Sequence, residues 1–516
     1  MVDELRSIIK NDTWELDERP DDSIVIGSRM VLRNKLGPDN KLERRKARLV
    51  AQGFYQQPGV HFSETFAPVA RLGSIRLIAA LAARYGMKIQ QFDITTAYLY
   101  GELEEEVLME PPKLFNDLLD HLIKTEEDPI IVKKAADMLN EFNNGDKVCR
   151  LKKSLYGLRQ AGRQWHIKLR EALREFGAIP SNGDPCLYFK GQGNKITLIA
   201  VYVDDLIVAS RCAESISHLS KVLSSRFDVK DLGSVNQCLG IKFTLNSNQV
   251  TMSQESYIDD LLRRFGMTDA NYVTTPMDVN VKLSKVAGTD ELEEDVPYRE
   301  LVGCLTYLAI ATRPDISFAA SCLGQFNNAY GKAHWNATKK VLRYLKGTKE
   351  LGLIYTADPQ PLRGFVDSDW GNCPDDRRSY SGFIFLLSGS AISWESRKQR
   401  TVALSSTEAE YMSLSDGAKE SIYWTSILKE LGFNKLVNIV ICNDNMGALK
   451  LTENPVFHAR SKHIDIRHHF VRENLHEGRL RIEHVSSDRN VADLFTKSLP
   501  RVKIEGFTHD CGLQPT

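Results

Sequence analysis

The feature that most constrains this chain is a pair of short apolar segments joined by two adjacent acidic residues. Residues 195–210 read KITLIAVYVDDLIVAS, so two β-prone segments flank Asp204 and Asp205. Two such segments around a two-residue turn predict a β-hairpin with both carboxylates at its apex. Burying two unpaired carboxylates costs free energy, which a bound divalent cation offsets. An exposed Asp-Asp turn is the alternative, which this segment alone leaves equally open.

A third carboxylate favours the metal-binding interpretation. Residues 87–98 read MKIQQFDITTAY, and Asp93 lies at the end of this predicted strand. One aspartate from a strand and two from a hairpin can supply the ligands for the two metal ions of nucleotidyl transfer. Because the ligands are hard oxygens, we expect Mg²⁺, two ions per active site, with Mn²⁺ able to replace it.

Composition indicates a folded chain with several domains. Its 516 residues predict about three domains, and 42% hydrophobic with 26% charged residues excludes collagen-like and disordered classes. No uncharged apolar run reaches the length of about 18 residues that a spanning helix needs, and the acidic start Met-Val-Asp-Glu predicts no secretory signal. Nine cysteines without a C-x-x-C pair argue against zinc ribbons and disulfide frameworks. We therefore expect an intracellular protein without a membrane partner.

Charge is balanced overall, at 67 basic and 67 acidic residues, but it is unevenly distributed. Residues 41–50 carry a net charge of +4 and residues 149–175 one of +6, whereas residues 101–148 carry −8. A nucleic-acid groove would have to be built from these local basic stripes. Taken alone, the charge pattern favours an unevenly charged solvated surface.

Hydrophobic periodicity predicts two α/β blocks joined by a helical segment. The first 36 residues predict a short helix followed by strands, and residues 37–40 predict a turn between strands. Further helices are predicted over 74–85 with Ser74 as the N-cap, over 113–143, over 159–176, and over much of 246–355 except a polar loop at 276–297. Strands are predicted over 87–94, over 195–210 and in several segments after 361.

Several motifs occur in an order typical of one family. They are KARLVAQG at 46–53, ETFAPV at 64–69, FD at 92–93, GELEEE at 101–106, SLYGLRQ at 154–160 and YVDD at 202–205. On these motifs the chain resembles the reverse transcriptase and ribonuclease H part of a copia-type retrotransposon Pol polyprotein, over about residues 1–500. The resemblance implies an α+β and α/β fold: a right-hand polymerase with fingers, palm and thumb, followed by a ribonuclease H-like mixed sheet with flanking helices.

The same resemblance implies a division of the chain into four segments. These are fingers and palm at 1–245, thumb or connection at 246–360, a ribonuclease H-like domain at 361–500 and a tail at 501–516. Residues 113–148 are longer and more acidic than the family pattern predicts. We interpret them as a surface helical insertion, with a regulatory or partner surface as the alternative.

For the polymerase, the resemblance implies three catalytic, metal-binding carboxylates, Asp93, Asp204 and Asp205. It places Tyr98 under the sugar of the incoming nucleotide, where the ring would reject a ribose 2′-hydroxyl. The family often has Phe at this position, and Tyr keeps the ring. Residues 237–243 resemble the hairpin that grips the primer end.

Further residues are implied to bind nucleotide and template. Tyr156 and Gly157 would lie beside the incoming base, and Gln160 belongs to the same motif. Lys46 and Arg48 are candidate contacts to the triphosphate, because cations there would meet phosphate oxygens. A solvated strand face is an equally weighted alternative for these two side chains.

A second carboxylate group begins with a predicted helix over 405–431. Ser405 and Glu408 have the spacing of a capping box at its start. Glu410 lies two residues further, about 200° around the helix, so Glu408 and Glu410 cannot face one metal pair together. The pattern therefore assigns Glu408 to the cap and Glu410 to the ligand set.

The resemblance completes this set with three aspartates. Asp367 and Asp369 share one face of a predicted strand, and the family position selects Asp367 as ligand and Asp369 as a neighbouring group. Asp444 follows the strand predicted in NIVICNDN, and Asp493 lies on a C-terminal helix. With Glu410, the residues Asp367, Asp444 and Asp493 are the implied catalytic, metal-binding set of a nuclease that cuts RNA in a hybrid.

Four of the 12 histidines lie in the basic segment 458–470, HARSKHIDIRHHF. A phosphate-contacting helix is the favoured interpretation, with His463 near the nuclease site. A zinc site is the less favoured alternative, since no cysteine is near and the spacing fits no common scheme.

The sequence thus predicts an RNA-directed DNA polymerase with a fused hybrid-specific ribonuclease. Its partners would be an RNA template, a DNA primer, an RNA–DNA hybrid and dNTPs, in a cytoplasmic virus-like particle or the nucleus. The main alternative is a catalytically idle or host-adopted remnant that binds nucleic acid. The sequence leaves open the oligomeric state and whether the chain is a processed product or a fragment.

Overall fold

Helices and sheets alternate along the chain. The structure, a computed structural model, describes residues 1–36, 42–285, 296–453 and 465–516. The predicted turn at 37–40 and His463 lie outside these residues. The described helices are α1 (Val2–Lys10), α2 (Leu72–Tyr85), α3 (Phe115–Thr125), α4 (Pro129–Phe142), α5 (Ala161–Phe176), α6 (Ala213–Ser224), α7 (Glu255–Arg264), α8 (Tyr298–Ala311), α9 (Ser317–Gly324), α10 (Lys332–Gly347), α11 (Ser406–Glu430), α12 (Met446–Glu453), α13 (Asp465–His476) and α14 (Arg501–Asp510). None of these helices has both the length and the apolarity needed to cross a membrane.

The strands form four sheets and a two-stranded ribbon. In chain order they are β1 (Trp14–Glu18), β2 (Val25–Ile26), β3 (Ser28–Leu36), β4 (Leu42–Ala51), β5 (Lys88–Ile94), β6 (Leu108–Met109), β7 (Lys147–Leu151), β8 (Ile179–Pro180), β9 (Leu187–Lys190), β10 (Thr197–Tyr202), β11 (Asp205–Ser210), β12 (Val229–Ser234), β13 (Gln237–Cys238), β14 (Ile241–Asn246), β15 (Gln249–Ser253), β16 (Leu351–Thr356), β17 (Arg363–Ser368), β18 (Tyr380–Leu387), β19 (Ser390–Lys398), β20 (Val440–Asn443), β21 (Arg481–His484) and β22 (Leu513–Pro515).

The predicted palm is an antiparallel six-stranded sheet in the order β12-β5-β11-β10-β9-β8. Helices α2 and α6 pack against its central strands, and α5 packs against α6. Strands β10 and β11 are apolar at almost every position because the sheet is covered by packed elements. The fold class predicted for the polymerase half is confirmed.

The hairpin turn lies one residue earlier than predicted. Tyr202 pairs with Asp205, so the two turn residues are Val203 and Asp204, and Asp205 is the first residue of β11. The prediction of both carboxylates at the apex is therefore wrong for Asp205. Where neighbouring strands are apolar on both faces, an alternating pattern cannot specify the register, so the tertiary contacts decide it.

Helix α2 also begins earlier than predicted. Its N-cap is Arg71, whereas the predicted cap, Ser74, is buried inside the first turn. The reason is a carboxylate from a distant loop: Asp184 Oδ2 accepts from the Arg71 N–H at 3.1 Å and from the Ser74 hydroxyl at 2.6 Å. An anion at a helix N-terminus satisfies its free N–H groups and is favoured by the helix dipole.

The N-terminal region has its own core. Sheet β1-β7-β6-β2 packs with α1, α3 and α4 around a cluster that includes Leu119, Leu122 and Ile131. The acidic segment predicted as a surface insertion is therefore helical, as expected, but it contributes buried side chains to this core. Its charges partly pair with the N-terminal residues, as in Arg6–Glu126 at 2.5 Å.

The predicted tail at 501–516 is part of the folded structure. It forms α14 and β22, and β22 pairs with β16 in the sheet β13-β14-β15-β16-β22. This sheet begins with the predicted primer-gripping hairpin, in which β13 pairs with β14. The segment predicted as a tail is thus held by main-chain hydrogen bonds to β16.

The predicted nuclease is a mixed five-stranded sheet in the order β19-β18-β17-β20-β21. Strands β17, β18 and β19 pair antiparallel, whereas β17, β20 and β21 pair parallel. The 25-residue helix α11 packs across β17 and β18. Within the described ranges, the buried side chains of the six-stranded sheet, of α7–α10 and of the mixed five-stranded sheet form one continuous core.

Candidate active sites

The three carboxylates predicted for the polymerase lie where β5 and β11 meet the hairpin turn. Asp93 is directly opposite Asp205 in the β5–β11 pair, and Asp204 is in the turn. Asp93 and Asp204 line one cleft together with Lys46 and Arg48 of β4. The structure thus brings two of the three predicted carboxylates to the same cleft as the predicted triphosphate-binding cations.

Asp204 is in an environment that disfavours its negative charge. Burial raises the pKa of Asp204, and the nearby charge of Asp93 raises it further, while Arg48 and Lys46 lower it. A cation between Asp93 and Asp204 would remove this repulsion. The cleft therefore has the donor set and the electrostatic character that fit a divalent cation.

Asp205 makes different contacts from the other two carboxylates. Its Oδ1 accepts a hydrogen bond from Gln91 Nε2 at 3.0 Å, and Gln91 is buried on the neighbouring strand β5. Asp205 is not one of the residues that line the cleft. The sequence pattern could not separate the two adjacent aspartates, because their positions depend on the register of the hairpin.

The turn that carries Asp204 is held by an indole. Trp165 Nε1 on α5 donates to Val203 O at 2.6 Å. Val203 has a φ of 58°, in the left-handed region, which is uncommon for a β-branched residue and costs about 1–3 kcal/mol. The sequence predicts only a helix over 159–176, and the hydrogen bond of Trp165 to the turn cannot be inferred from helical periodicity.

The cations of β4 face the same cleft as the carboxylates. The guanidinium of Arg48 lies over the ring of Tyr156, 4.5 Å from its centroid. The Nε atom of Arg48 is buried and has no hydrogen-bond partner among the described residues. Because an unpaired buried donor costs free energy, this nitrogen is suited to an anionic ligand that enters the cleft.

Tyr156 lines the cleft, with Tyr98 packed against its ring and Gly157 next to it in the chain. The ring centroids of Tyr98 and Tyr156 are 4.9 Å apart, in an edge-to-face arrangement. Burial raises the pKa of Tyr98, and the charge of Asp204 adds to this effect, so the phenol stays neutral. Gly157 has a φ of 94°, and a Cβ there would lie 2.1 Å from Ala51 O, so only glycine fits.

The structure does not bring Gln160 to the cleft. Gln160 is only 1% exposed, its Nε2 donates to His61 O at 2.8 Å, and its Oε1 accepts from Gln56 Nε2 at 3.1 Å. Both ends of the amide are therefore used inside the protein. These hydrogen bonds of Gln160 support the loop that carries Tyr156. They also keep the Gln160 amide from contacting a ligand in the cleft.

The second centre brings together three carboxylates from three elements. Asp367 of β17, Glu410 of α11 and Asp444, which follows β20, offer oxygens that all lie within 4.8 Å of one another. Among the described residues, this is the only group of three or more such side chains with that geometry. Asn443 Nδ2 donates to Glu410 Oε2 at 3.0 Å, and the Thr496 hydroxyl donates to Asp367 Oδ2.

Asp493, the fourth predicted carboxylate, adjoins this group through a lysine. Lys497 Nζ lies 2.8 Å from Asp493 Oδ1 and 3.3 Å from Asp367 Oδ2. Burial raises the pKa of Asp493 to about 6, and the charge of Asp367 contributes to the increase. Lys497 and Thr496 were not predicted, although a lysine four residues after Asp493, in a segment predicted as helical, is a signal that could have identified Lys497; the structure has a short 3-10 helix there, Val491–Phe495, which ends before the lysine.

The start of α11 follows the predicted cap. Ser405 Oγ accepts from the Glu408 N–H at 3.2 Å, and the Glu408 carboxylate accepts from the Leu404 N–H at 2.9 Å. Glu410 therefore faces the centre while Glu408 serves the helix end, as the 200° separation predicts. Beside the centre, burial raises the pKa of Asp369 to about 7.

The three-carboxylate group fits a divalent cation. Glu410 and Asp367 are buried, and the pKa of Glu410 is well above its usual value because of burial and the charge of Asp367. Closely spaced carboxylates in a poorly solvated site repel one another, and a divalent cation with hard-oxygen preference compensates that repulsion.

The chain matches known proteins over almost its whole length. A family model described as Reverse transcriptase (RNA-dependent DNA polymerase) matches residues 11–121 and 117–279. The Retrovirus-related Pol polyprotein from transposon TNT 1-94 of Nicotiana tabacum is 39% identical over 513 residues, covering 98% of this chain and 37% of the relative. The Retrovirus-related Pol polyprotein from transposon RE2 of Arabidopsis thaliana is 38% identical over 515 residues, covering 99% of this chain and 34% of the relative. The chain thus spans about a third of the length of these relatives.

Among solved structures, the foamy viral protease-reverse transcriptase dRH in complex with ds DNA is similar at a TM-score of 0.47 and 10% sequence identity. That match covers 93% of this chain and 68% of the other. The family model spans more than half of this chain, including the β5 and hairpin carboxylates. The chain therefore belongs to the reverse transcriptase family, and over almost its whole length it is similar to Pol polyproteins of plant transposons.

Proposed function

We propose that the chain is an RNA-directed DNA polymerase that also carries a ribonuclease H for RNA–DNA hybrids. The observation that carries the proposal is the presence of two separate carboxylate centres on two different sheets of one chain. Family membership supports the polymerase, and the buried three-carboxylate group supports the nuclease. The partners are an RNA template, a DNA primer, dNTPs and the hybrid that synthesis produces.

The proposed cofactor is Mg²⁺, two ions per active site. The residues proposed to hold the ions are Asp93, Asp204 and Asp205 in the polymerase and Asp367, Glu410, Asp444 and Asp493 in the nuclease. When bound, the ions activate the attacking oxygen and neutralise charge that develops on the phosphate. The raised pKa values of Asp204 and Glu410 support this assignment, since a bound cation would favour the ionised carboxylates that burial and neighbouring acidic groups disfavour.

In the polymerase, the residues of β4 and the tyrosines bind and orient the nucleotide. Arg48 and Lys46 contact triphosphate oxygens, which would give the buried Arg48 Nε its missing acceptor. Tyr156 lies beside the base, and the neighbouring Tyr98 closes the space that a ribose 2′-hydroxyl would occupy. Gly157 allows this loop to approach the backbone of β4 closely.

In the nuclease, the protein orients the carboxylates and balances their charge. Asn443 holds Glu410, and Thr496 holds Asp367, so each carboxylate keeps a free oxygen for ligation. Lys497 lies between Asp493 and Asp367 and lowers the repulsion between them. The hybrid would be recognised by backbone shape and 2′-hydroxyls, independently of sequence.

Two substitutions test the two centres separately. Asp204→Asn should reduce primer extension on an RNA template by about two orders of magnitude or more, because the lost charge stabilised the transition state. Asp444→Asn should abolish cleavage of RNA in a hybrid and leave extension near normal, because it lies in the other centre. Thermal melts establish that both variants are folded.

The outcomes discriminate between the candidate functions. A folded Asp444→Asn variant that loses both activities would argue for one shared site. Absence of both extension and cleavage in the unmodified chain with Mg²⁺ would favour the idle, nucleic-acid-binding remnant.

A further inference from the structure

Helix α1 forms one wall of the cleft that contains Asp204. The residues at the start of the chain that line this cleft are Met1, Asp3, Glu4 and Ser7. The apolar side chains of α1 are buried in the N-terminal core; they are Leu5, Ile8 and Ile9. The helix is therefore a fixed part of the cleft, and it brings acidic side chains to the wall that also holds the cations of β4.

Glu4 of this helix is a buried acidic residue, only 7% exposed. Its Oε1 accepts a hydrogen bond from the main-chain N–H of Leu49 at 3.1 Å. Burial raises the pKa of Glu4, whereas this hydrogen bond and the charges of Arg48 and Lys46 lower it. Because burying a carboxylate costs free energy, an apolar residue would serve the packing of α1 better. What Glu4 adds to packing is an acceptor for the backbone of β4.

The strand that Glu4 contacts belongs to the two-stranded ribbon of β3 and β4. Two strands alone are marginally stable, so the ribbon depends on contacts with other elements. At the end of β4, the Ala51 N–H donates to Tyr156 O at 2.8 Å. Leu49 lies two residues before Ala51, so both N–H groups are on the edge of β4 that faces away from β3. Glu4 therefore extends the anchored part of this edge to the residue that follows Arg48.

The position of Arg48 thus depends on two contacts outside the ribbon. Its guanidinium lies over the ring of Tyr156, 4.5 Å from the centroid, and the peptide N–H that follows it is bound by Glu4. The carboxylates Asp93 and Asp204, in contrast, lie on the six-stranded sheet and its hairpin turn. Loss of the Glu4 contact would therefore move the cation and leave the carboxylates in place.

We propose that Glu4 is a positioning residue for the incoming nucleotide: its carboxylate holds β4 at Leu49, and thereby holds Arg48 where the triphosphate binds. This inference rests on the proposed function, since it adds a residue to the polymerase reaction. A carboxylate repels phosphate, so Glu4 acts through Arg48 and makes no contact with the nucleotide. Removing the acceptor leaves the Leu49 N–H unpaired and weakens nucleotide binding more than the chemical step.

The test measures addition of one dTTP opposite a template adenine by the full chain in Mg²⁺. Glu4→Ala should raise the KM for dTTP about tenfold, the effect of leaving one buried donor without its acceptor. The kcat should stay nearly unchanged, as expected when binding alone is weakened. Glu4→Gln keeps an oxygen acceptor and should raise KM by no more than about threefold, because a neutral acceptor is weaker than a charged one. If Glu4→Ala does not fold, Glu4→Met fills the same space without an acceptor and decides.

Two controls separate this role from a general loosening of α1. Glu126→Ala removes the carboxylate that pairs with Arg6 of α1 at 2.5 Å, and it should leave the KM for dTTP unchanged. In a double-mutant cycle, Glu4→Ala should have almost no further effect on KM when it is added to Arg48→Ala, because the two residues act as one unit.

An unchanged KM in folded Glu4→Ala would overturn the proposal. Three other results would do the same: Glu4→Gln as weak as Glu4→Ala, Glu126→Ala as weak as Glu4→Ala, or additive effects of Glu4→Ala and Arg48→Ala.

If the unmodified chain extends no primer, the proposed polymerase function fails, and the positioning role is tested by itself. Calorimetric titration with dTTP in Ca²⁺ then compares the variants. Weaker binding by Glu4→Ala than by Glu4→Gln and the unmodified chain would support the role of Glu4. Equal binding by all three, or none by the unmodified chain, would overturn it.

Discussion

Tyr98 packs edge-to-face against Tyr156, and the charge of Asp204 adds to the effect of burial in raising the pKa of the Tyr98 phenol. In the proposed nucleotide-binding mode this ring would clash with a ribose 2′-hydroxyl. Tyr98→Ala should therefore raise incorporation of ribonucleotides relative to deoxyribonucleotides by roughly tenfold or more, as expected for about 1.4 kcal/mol of lost discrimination. Single-nucleotide extension with paired dNTP and rNTP substrates measures the ratio. Tyr98→Phe keeps the ring and should leave it unchanged. An unaltered ratio in Tyr98→Ala would assign Tyr98 to packing alone.

The raised pKa of Asp369 predicts that the stability of the protein depends on pH. Burial raises its pKa to about 7, and a buried oxygen of its carboxylate has no hydrogen-bond partner in the described structure. In the unfolded chain its pKa is about 3.9. Between these two pKa values the folded state binds more protons than the unfolded state. Asp369 therefore makes the free energy of unfolding fall by up to about 4 kcal/mol as the pH rises from about 4 to 7, and causes no further loss above pH 7.

Asp369→Asn should remove this contribution. Chemical denaturation in EDTA at several pH values should show that the variant gains stability over the unmodified chain as pH rises from about 4 to 7, and keeps a constant advantage above. Parallel stability curves for the two proteins would mean that Asp369 has an ordinary pKa.

At the scale of elements, the β10–β11 hairpin depends on α5. The indole of Trp165 holds the carbonyl of Val203, whose backbone is in the left-handed region next to Asp204. Trp165→Phe keeps an aromatic ring but removes the donor, so the turn can relax and move Asp204. Because displacement of a reacting group by about 1 Å can cost up to 100-fold in rate, primer extension should fall by roughly tenfold or more.

The control for this substitution is Tyr188→Phe on β9. It removes a hydroxyl of the same sheet that lies 3.4 Å from Nε2 of His166, the neighbour of Trp165 on α5, but it does not touch the turn. Extension by this variant should match the unmodified chain. If Trp165→Phe melts at the usual temperature and extends primers normally, the indole is not needed to hold the turn.

At the scale of the whole molecule, the C-terminal segment links the sheet of β16 to the mixed sheet that contains β19. Gly512 has a φ of 84°, and a Cβ there would lie 2.5 Å from the Cα of Ser390 in β19. Gly512→Ala should therefore destabilise the protein by about 2–4 kcal/mol, from overpacking and from backbone strain. Denaturant unfolding measures the change.

Gly506→Ala is the matched control for that prediction. Gly506 lies in α14, and nothing is within 4 Å of the position that an added methyl group would take. Because alanine favours a helix, this change should be neutral or slightly stabilising. Equal stability of Gly512→Ala and the unmodified chain would show that the residue before β22 is not packed tightly against Ser390 of β19.

Local rules in the sequence determined much of this protein. The cap of α11 follows from the spacing of Ser405 and Glu408, and the choice of Glu410 for the carboxylate group follows from 3.6 residues per turn. The hairpin around Asp204 follows from two apolar segments. These features depend on residues a few positions apart, so pattern and propensity suffice to predict them.

Tertiary contacts decided the rest. Asp184, which is 110 residues from Ser74 in the chain, shifts the start of α2 to an earlier residue. The register of β10 with β11 places Asp205 outside the turn. The Gln160 side chain is buried inside the protein and does not reach the cleft. The fold also places Lys497 between the carboxylates of Asp367 and Asp493. Such contacts join residues far apart in the chain, and their free energies depend on packing and desolvation, which no local pattern records. The sequence by itself therefore determined which groups are available for chemistry and on which elements they lie, whereas the tertiary structure decided which of them meet.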